Sequence, residues 1–250
     1  MTKNLNNDDH LSINTLLGFN LKIIQHANMF NYSLDSTLLA DFVTIPKRIK
    51  SILDLGTGFA PIPLMLSQKT KLPITGIELQ DDVYAIAVKN VELNKLQTQI
   101  TILRDDINHL KTQFPYESFG LITSNPPFFK VTDNANVNHS TYKIVARHEV
   151  ALTLTTLFDV TSYLLKDKGL FYLVHRPERL DEIMMIAKRY NLAIKRLRLV
   201  YPRVNKEASM VLIEFMKNGK NSMRILSPLI VHNQEGYTDE IKRIFRYESK

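Results

Sequence analysis

Phe119-Gly120-Leu121-Ile122-Thr123-Ser124-Asn125-Pro126-Pro127-Phe128 is a short, mostly apolar run that ends in two consecutive prolines and an aromatic residue. Its first six residues read as a buried strand, since a continuous apolar run of that length bounded by turn signals buries both faces. The prolines can neither continue a hydrogen-bonded ladder nor begin an ordinary helical turn. Asn125–Phe128 is therefore expected to form a rigid loop at the carboxyl end of a strand, where open α/β sheets place their ligands. The loop offers the Asn125 amide oxygen, the Pro126 and Pro127 carbonyls and the flat face of Phe128. That set suits a planar group bearing an NH2: Asn125 and the Pro126 carbonyl accept the two amino hydrogens, and the ring stacks on the plane. Standing alone, Asn-Pro-Pro also reads as a proline-rich turn, so the rest of the chain has to decide.

Upstream, three more strands end in residues of matching chemistry. Ser51-Ile52-Leu53-Asp54-Leu55 is a buried strand, and Gly56-Thr57-Gly58 turns out of it. Glycines at such a turn let the backbone pass close to a ligand, although the third glycine of a dinucleotide fingerprint is absent. A helix follows over 60–69, its prolines Pro61 and Pro63 tolerated in the first turn. The next strand, 73–79, carries Glu78 about twenty residues after Gly58, the spacing at which an acidic residue takes the hydroxyls of a nucleoside ribose. Asp81-Asp82 opens a helix running to about Asn94, where acidic residues complement the dipole. Ile100–Leu103 is a third strand, leading to Asp106-Ile107; Asp106 is placed to accept from an adenine amino group, with Ile107 and Leu79 against the ring faces.

Downstream, 129–150 has no period and reads as a long functional loop. A helix over 152–165, a strand over 169–175 and a helix over 177–190 follow. Two strands, 192–200 and 209–216, are joined by the short basic link 201–208, which is too short for a crossover and suits an antiparallel hairpin. Gly236-Tyr237-Thr238-Asp239 caps a last helix to about Tyr247. Before Ser51 the chain is polar to Asn20, with a weak strand at 21–25 and a helix starting at Ser33-Leu34-Asp35-Ser36 and stopped by Pro46. The β-α-β-α-β order predicts a parallel sheet with right-handed crossovers and helices on both faces.

With 250 residues, 44% hydrophobic and 23% charged, the composition is that of a globular protein able to bury a full core. There is no cysteine, which excludes disulfides, thiolate nucleophiles and cysteine-ligated clusters. The seven histidines have no zinc-type spacing, so no metal is expected. No apolar run reaches membrane-spanning length and Met1–His10 does not read as a signal peptide, so a cytoplasmic protein is expected. Residues 1–142 hold 12 Lys+Arg against 13 Asp+Glu, whereas residues 143–250 hold 20 against 12, a net of +8. Such asymmetry points to a polyanionic partner, nucleic acid, bound mainly through the second half. Lys195, Arg196, Arg198, Arg203 and Lys206 are the candidate phosphate-contacting patch, set against the alternative of a solvated hairpin. Lys143, Arg147 and His148, in and after the long loop, are candidates for RNA contact or pocket closure, and the aromatics Phe129 and Tyr142 for the base pocket. His175, at a strand end, reads as structural.

A glycine-rich turn, two acidic strand ends and then Asn-Pro-Pro-Phe, on four successive strands, resemble the Rossmann-like S-adenosyl-methionine-dependent methyltransferases. Leu34–Ala40, Asp54–Gly58, Asn125–Phe129, Ala146–Glu149 and Gly236–Thr238 narrow the resemblance to the bacterial tRNA adenine-N6 methyltransferases that modify adenosine 37 of valine tRNA, over about Asn20 to Phe245. Phe128 departs from that pattern, in which Tyr is commoner; Phe is also frequent there in ribosomal guanine-N2 methyltransferases. The resemblance implies a class I fold: a seven-stranded, mostly parallel sheet whose last strand is antiparallel. It implies a methyltransferase domain over 51–250 preceded by an extension over 1–50 containing a short helix. It implies an S-adenosyl-methionine site formed by Asp35, Ser36, Asp54, Gly56, Thr57, Gly58, Glu78, Leu79, Asp106, Ile107 and Asn125, with Asn125, Pro126, Pro127 and Phe128 catalytic. The partner it implies is tRNA; oligomeric state stays open. Competing readings are a protein glutamine N5-methyltransferase, whose relatives usually carry a dedicated N-terminal helical domain, a DNA adenine or ribosomal guanine methyltransferase, and a non-catalytic RNA-binding module with a vestigial cofactor pocket.

Overall fold

The computed structural model describes residues 11–16, 20–26, 34–126 and 153–245. Pro127, Phe128, Phe129, Tyr142, Lys143, Arg147 and His148, with the whole segment 129–150, lie outside the described residues. In chain order the elements are β1 (Leu11–Thr15), β2 (Lys22–His26), α1 (Leu34–Phe42), β3 (Ile52–Leu55), α2 (Pro61–Ser67), β4 (Ile74–Glu78), α3 (Asp81–Leu93), β5 (Ile100–Arg104), α4 (Leu110–Gln113) and β6 (Phe119–Ser124). There follow α5 (Leu154–Leu164), β7 (Leu165–His175), α6 (Leu180–Arg189), β8 (Leu192–Tyr201), β9 (Met210–Lys217), the two-residue strands β10 (Arg224–Ile225), β11 (Leu229–Ile230), β12 (His232–Asn233) and β13 (Gly236–Tyr237), and α7 (Asp239–Ile244).

The main sheet runs β5-β4-β3-β6-β7-β9-β8, with β10 and β11 added as short parallel strands on the outer edge of β8. Strands β3 to β7 pair in parallel, and β9 is antiparallel to both β7 and β8. The hairpin expected at 201–208 is thus present, and the antiparallel strand it produces is the one the class I fold requires. Successive residues of each strand serve opposite faces. Ile52, Leu121, Leu170 and Leu212 enter one core with α1, α2, α3 and α7, while Leu53, Ile122, Phe171 and Ile213 enter a second with α4, α5 and α6. This is why the strands read as unbroken apolar runs: there is no wet face to alternate with. In the second core Phe158, Phe171 and Phe215 meet at ring separations of 5.4–5.5 Å.

The chain leaves β3 toward β4 and β5 on one side, then returns to place β6 on the other. The gap between the carboxyl ends of β3 and β6 is therefore the topological switch point of the sheet, the place where open α/β folds bind ligands.

Two expectations are corrected in detail. The fifth long strand begins at Leu165 rather than 169, directly after α5. The polar start contains a strand, β1, paired antiparallel with β2. This hairpin docks on α3 through two asparagines one turn apart. Asn90 Oδ1 accepts from the Ile24 N–H (2.6 Å) and its amide donates to the Ile24 carbonyl (3.1 Å); Asn94 does the same with Lys22 (2.8 and 2.7 Å). The side-chain amides replace a neighbouring strand and satisfy the edge of β2.

Candidate active site at the switch point

Register fixes which residues share the carboxyl edge. Leu55 of β3 lies opposite Ile77 of β4 and Ser124 of β6, so Gly56, Glu78 and Asn125 form the next row across three adjacent strands. Glu78 lies opposite Arg104, which puts Asp105 and Asp106 beside it on the fourth. At the usual strand spacing Glu78 and Asn125, two strands apart, are about 10 Å from each other, the scale of a nucleoside.

The glycine turn is built by constraint from below. Gly56 and Gly58 adopt φ of 68° and 57°, a region costly to any residue with a Cβ, and a Cβ built on either would meet no atom within 4 Å. The turn is therefore open on the side those hydrogens face. Beneath it, Thr57 donates its hydroxyl to Asp54 Oδ2 (2.7 Å) and its N–H to the Ile77 carbonyl (2.8 Å). Thr57 lies against Gly76, where a Cβ would come within 2.9 Å of its hydroxyl, so a glycine in the middle of β4 is what lets the turn fold back over the sheet. Ala60, with φ of 64°, is a third left-handed residue in this turn; that conformation costs about 1–2 kcal/mol for alanine and is held here by complete burial.

Asp54 is buried and takes a second hydroxyl, Thr123 Oγ1 of β6, on Oδ1 at 2.6 Å. Burial pushes its carboxyl up to about 7; the hydrogen bonds from Thr123 and Thr57 oppose that rise, and the nearby Glu78 carboxylate adds to it. Thr123 is a polar partner of Asp54 that the motifs do not single out, although a hydroxyl inside a buried apolar strand signals an internal polar partner. Glu78, also buried, accepts the Gly58 N–H on Oε2 (2.9 Å) and the Leu79 and Gln80 N–H groups on Oε1 (3.0 Å each). A carboxylate has about four lone-pair positions, and the described residues use three of them.

Asp106 caps the short 3-10 turn after β5, accepting from the Asn108 N–H (2.9 Å) and its amide (2.7 Å) on Oδ1. Ile107 is buried, whereas Leu79 is 43% exposed and presents an apolar surface beside Glu78. Asn125 is half-buried, and its amide nitrogen donates to Ser36 Oγ in the first turn of α1 (3.1 Å). The structure thus gathers Asp35 and Ser36 of α1, the 54–58 turn, Glu78, Leu79, Asp106, Ile107, Asn125 and Pro126 along one edge.

The basic candidates divide. Arg196 donates to Glu214 Oε2 across the β8–β9 ladder and to the Phe42 carbonyl (3.1 Å), with its guanidinium 4.6 Å over the Phe42 ring. Arg198 is paired with Glu240 (2.8 Å) and the Ser227 carbonyl (2.9 Å). Both side chains serve to hold α1 and α7 to the sheet. Lys195 is half-buried in the first half of β8 and donates to the Lys220 carbonyl (3.0 Å). Arg203 and Lys206 are exposed in the β8–β9 turn. Because β8 runs parallel to β6 and β7, that turn lies on the same edge as Asn125, three strand spacings away, about 14 Å. His175 ends β7 fully buried; burial lowers its pKa to about 4, the Arg179 guanidinium adding to the effect. Among the described residues no group of three or more His, Asp or Glu is placed to hold a metal, and no helix is long and apolar enough to cross a membrane.

The chain is similar to known proteins in sequence and in fold. The family model described as methyltransferase small domain matches residues 20–180. A tRNA1(Val) (adenine(37)-N6)-methyltransferase of Porphyromonas gingivalis is 33% identical over 190 residues, covering 74% of this chain and 73% of the relative. The protein of that name from Photobacterium profundum is 28% identical over 217 residues, covering 86% and 89%. The crystal structure of a predicted O-methyltransferase from Agrobacterium tumefaciens superposes with a TM-score of 0.68 at 19% identity, over 85% of this chain and 96% of that one, and shares the fold. A switch-point site with an Asn-Pro-Pro strand end, a family match over most of the chain and relatives of this identity and coverage lead to one conclusion: the chain belongs to the methyltransferase small domain family, among the tRNA1(Val) (adenine(37)-N6)-methyltransferases.

Proposed function

We propose that this chain transfers a methyl group from S-adenosyl-methionine to the exocyclic N6 of adenosine 37 in the anticodon loop of valine tRNA. The observation that carries the reading is Asn125: it stands at the switch point with its amide nitrogen donating to Ser36 Oγ, so that its oxygen is the end of the amide not engaged by that bond. A neutral acceptor is what an aromatic amine needs. The N6 lone pair is shared with the ring; accepting its two hydrogens on Asn125 Oδ1 and the Pro126 carbonyl draws them from the plane and frees the pair to form the N–C bond. The oriented oxygens then stabilise the positive charge arriving on nitrogen, and the surplus proton leaves to water. Positioning supplies much of the acceleration, so no strong base or metal is called for. A base in a loop needs little unstacking to enter such a site.

The residues at the other end of the row fit the cofactor. The open side of Gly56 and Gly58 admits its backbone-hugging portion, the Glu78 carboxylate takes the ribose, and Asp106, Leu79 and Ile107 frame the adenine. Bound there, S-adenosyl-methionine supplies an electrophilic methyl on a sulfonium. Phe128, outside the described residues, is assigned the stacking face. Residues 51–250 are the transferase unit, and the 1–50 extension contributes Asp35 and Ser36. A tRNA substrate supports a cytoplasmic location.

The direct test is methylation of unmodified tRNA1(Val) by the purified chain, followed by mass spectrometry of the nucleosides. N6-methyladenosine at position 37 is expected; N2-methylguanosine in ribosomal RNA, or N5-methylglutamine in a release factor, would reassign the substrate. Glu78→Ala weakens S-adenosyl-methionine by about 1.5–3 kcal/mol in calorimetric titration, the range for a hydrogen bond to a charged group. Unchanged binding would remove Glu78 from the cofactor site. For RNA, Arg203→Ala with Lys206→Ala lowers the slope of log affinity against log salt by about 0.7–0.9 for each phosphate no longer neutralised, with cofactor affinity unaltered. The same change at Lys195, in the first half of β8, is expected to have the smaller effect, and an unchanged slope in the double variant would place the RNA elsewhere.

A further inference from the structure

Ser36 and Asn125 are 89 positions apart and touch. Ser36 is 4% exposed, in the first turn of a helix whose next residues, Thr37, Leu38 and Leu39, are buried. That helix is fixed at its far end as well. Lys69 Nζ bridges the carbonyls of Ala40, Asp41 and Val43 at 2.7–2.9 Å, and Arg196 holds the Phe42 carbonyl. The Ser36 hydroxyl is therefore a fixed point and not a mobile surface group.

A primary amide presents an acceptor on one side and a two-hydrogen donor on the other, and a half-turn about its last torsion exchanges them. A target amine requires the acceptor side, because a donor facing a donor is repulsive. In the structure the nitrogen of Asn125 faces Ser36 Oγ, and because a hydroxyl can serve either end of an amide, what Ser36 fixes is the plane of the group. We infer that Ser36 is a positioning residue for methyl transfer: its hydroxyl, in contact with the Asn125 amide, holds the plane of that amide at the edge where the target nitrogen is received. The inference rests on the reading of Asn125 as the acceptor for that amine. It gives Ser36 a different role from a cofactor ligand, and the two roles separate experimentally.

Ser36→Ala removes the hydroxyl with little change of volume and keeps a good helix former in place. The expected result is a single-turnover rate about tenfold lower at saturating S-adenosyl-methionine and tRNA, the worth of one ordinary hydrogen bond, with dissociation constants for both ligands unchanged. A double-mutant cycle supplies the decisive readout. In an Asn125→Ala background the amide is gone, so adding Ser36→Ala lowers the rate no further. Weakened cofactor binding with an unchanged saturated rate would overturn the inference and make Ser36 a cofactor contact. A full additional loss in the Asn125→Ala background would also overturn it, since the serine would then act independently of the amide. If Asn125→Ala itself methylates normally, the reading of the whole site fails; if Asn125→Ala is impaired and Ser36→Ala is not, the inference about Ser36 alone fails.

Discussion

Asn125→Ala lowers kcat by about a hundredfold or more while changing the affinity for S-adenosyl-methionine and tRNA by less than about tenfold. The magnitude is that of deleting one preorganised polar group at a reacting centre, about 10²–10³ in rate. The division between rate and binding follows from the geometry. Asn125 lies about 10 Å along the edge from Glu78, so the group proposed to hold the cofactor's ribose survives the substitution. The Pro126 carbonyl and the Phe128 face also survive, so the base still enters. What disappears is one of the two acceptors proposed to act on N6 as charge develops there, an interaction stronger in the transition state than in the bound substrate, and such losses fall on kcat. Phe128→Ala differs in kind, because it removes base stacking worth about 1–3 kcal/mol and weakens productive tRNA binding, whereas Phe128→Tyr keeps the ring. Single-turnover methylation at saturating cofactor and RNA is the measurement. A near wild-type rate for Asn125→Ala would reduce the tetrapeptide to a turn and remove the basis of the functional assignment.

Two buried groups make the stability of this protein respond to pH in opposite directions. The Asp54 carboxyl is held up at about 7 in the fold against an ordinary value of 3.8. Between those pH values the native state keeps a proton that the unfolded chain has released, so this group's contribution to stability falls as pH rises from about 4 to 7. About three pKa units at 1.36 kcal/mol each correspond to roughly 4 kcal/mol. His175 is depressed from 6.5 to about 4 by burial and by Arg179. Between 6.5 and 4 the unfolded chain takes up a proton that the native state refuses, so its contribution falls as pH drops, by roughly 3 kcal/mol. In the wild type the two slopes largely cancel between pH 4 and 6.5. Asp54→Asn removes the first, and its stability relative to wild type rises by roughly 4 kcal/mol between pH 4 and 7. His175→Gln removes the second, and its stability relative to wild type rises by roughly 3 kcal/mol as pH falls from 6.5 to 4. Urea midpoints collected across pH 4–7.5 give both differences, in which the titration of all other groups cancels. An Asp54→Asn curve parallel to wild type would show that Asp54 is ionised in the fold throughout.

Much of this architecture is legible in the sequence because its determinants are local. Strands buried on both faces, such as Ile52–Leu55 and Phe119–Ser124, are continuous apolar runs whatever they later touch. Gly56, Gly58, Glu78, Asp106 and Asn125 stand out because each terminates such a run, and in a parallel sheet those ends share an edge. The antiparallel β9 follows from chain length alone, since eight residues after Val200 cannot make a crossover. The partners of polar groups are not legible in this way, because charge and hydrogen-bonding capacity are properties of one residue and satisfaction is a property of two. Arg196 and Arg198 look like their basic neighbours in sequence; Glu214 and Glu240, brought up by β9 and α7, turn them inward while Arg203 and Lys206 stay exposed. The polar start carries no strand signal and β2 only a weak one; β1 pairs with β2, whose own outer backbone groups at Lys22 and Ile24 are met by Asn94 and Asn90, on a helix some 70 residues later. Local chemistry along the chain is thus enough to set the order of elements and the row of functional strand ends. The grip of two threonines from different strands on Asp54, and of Ser36 on Asn125, arises in the folded sheet, because nothing short of it brings those distant segments together.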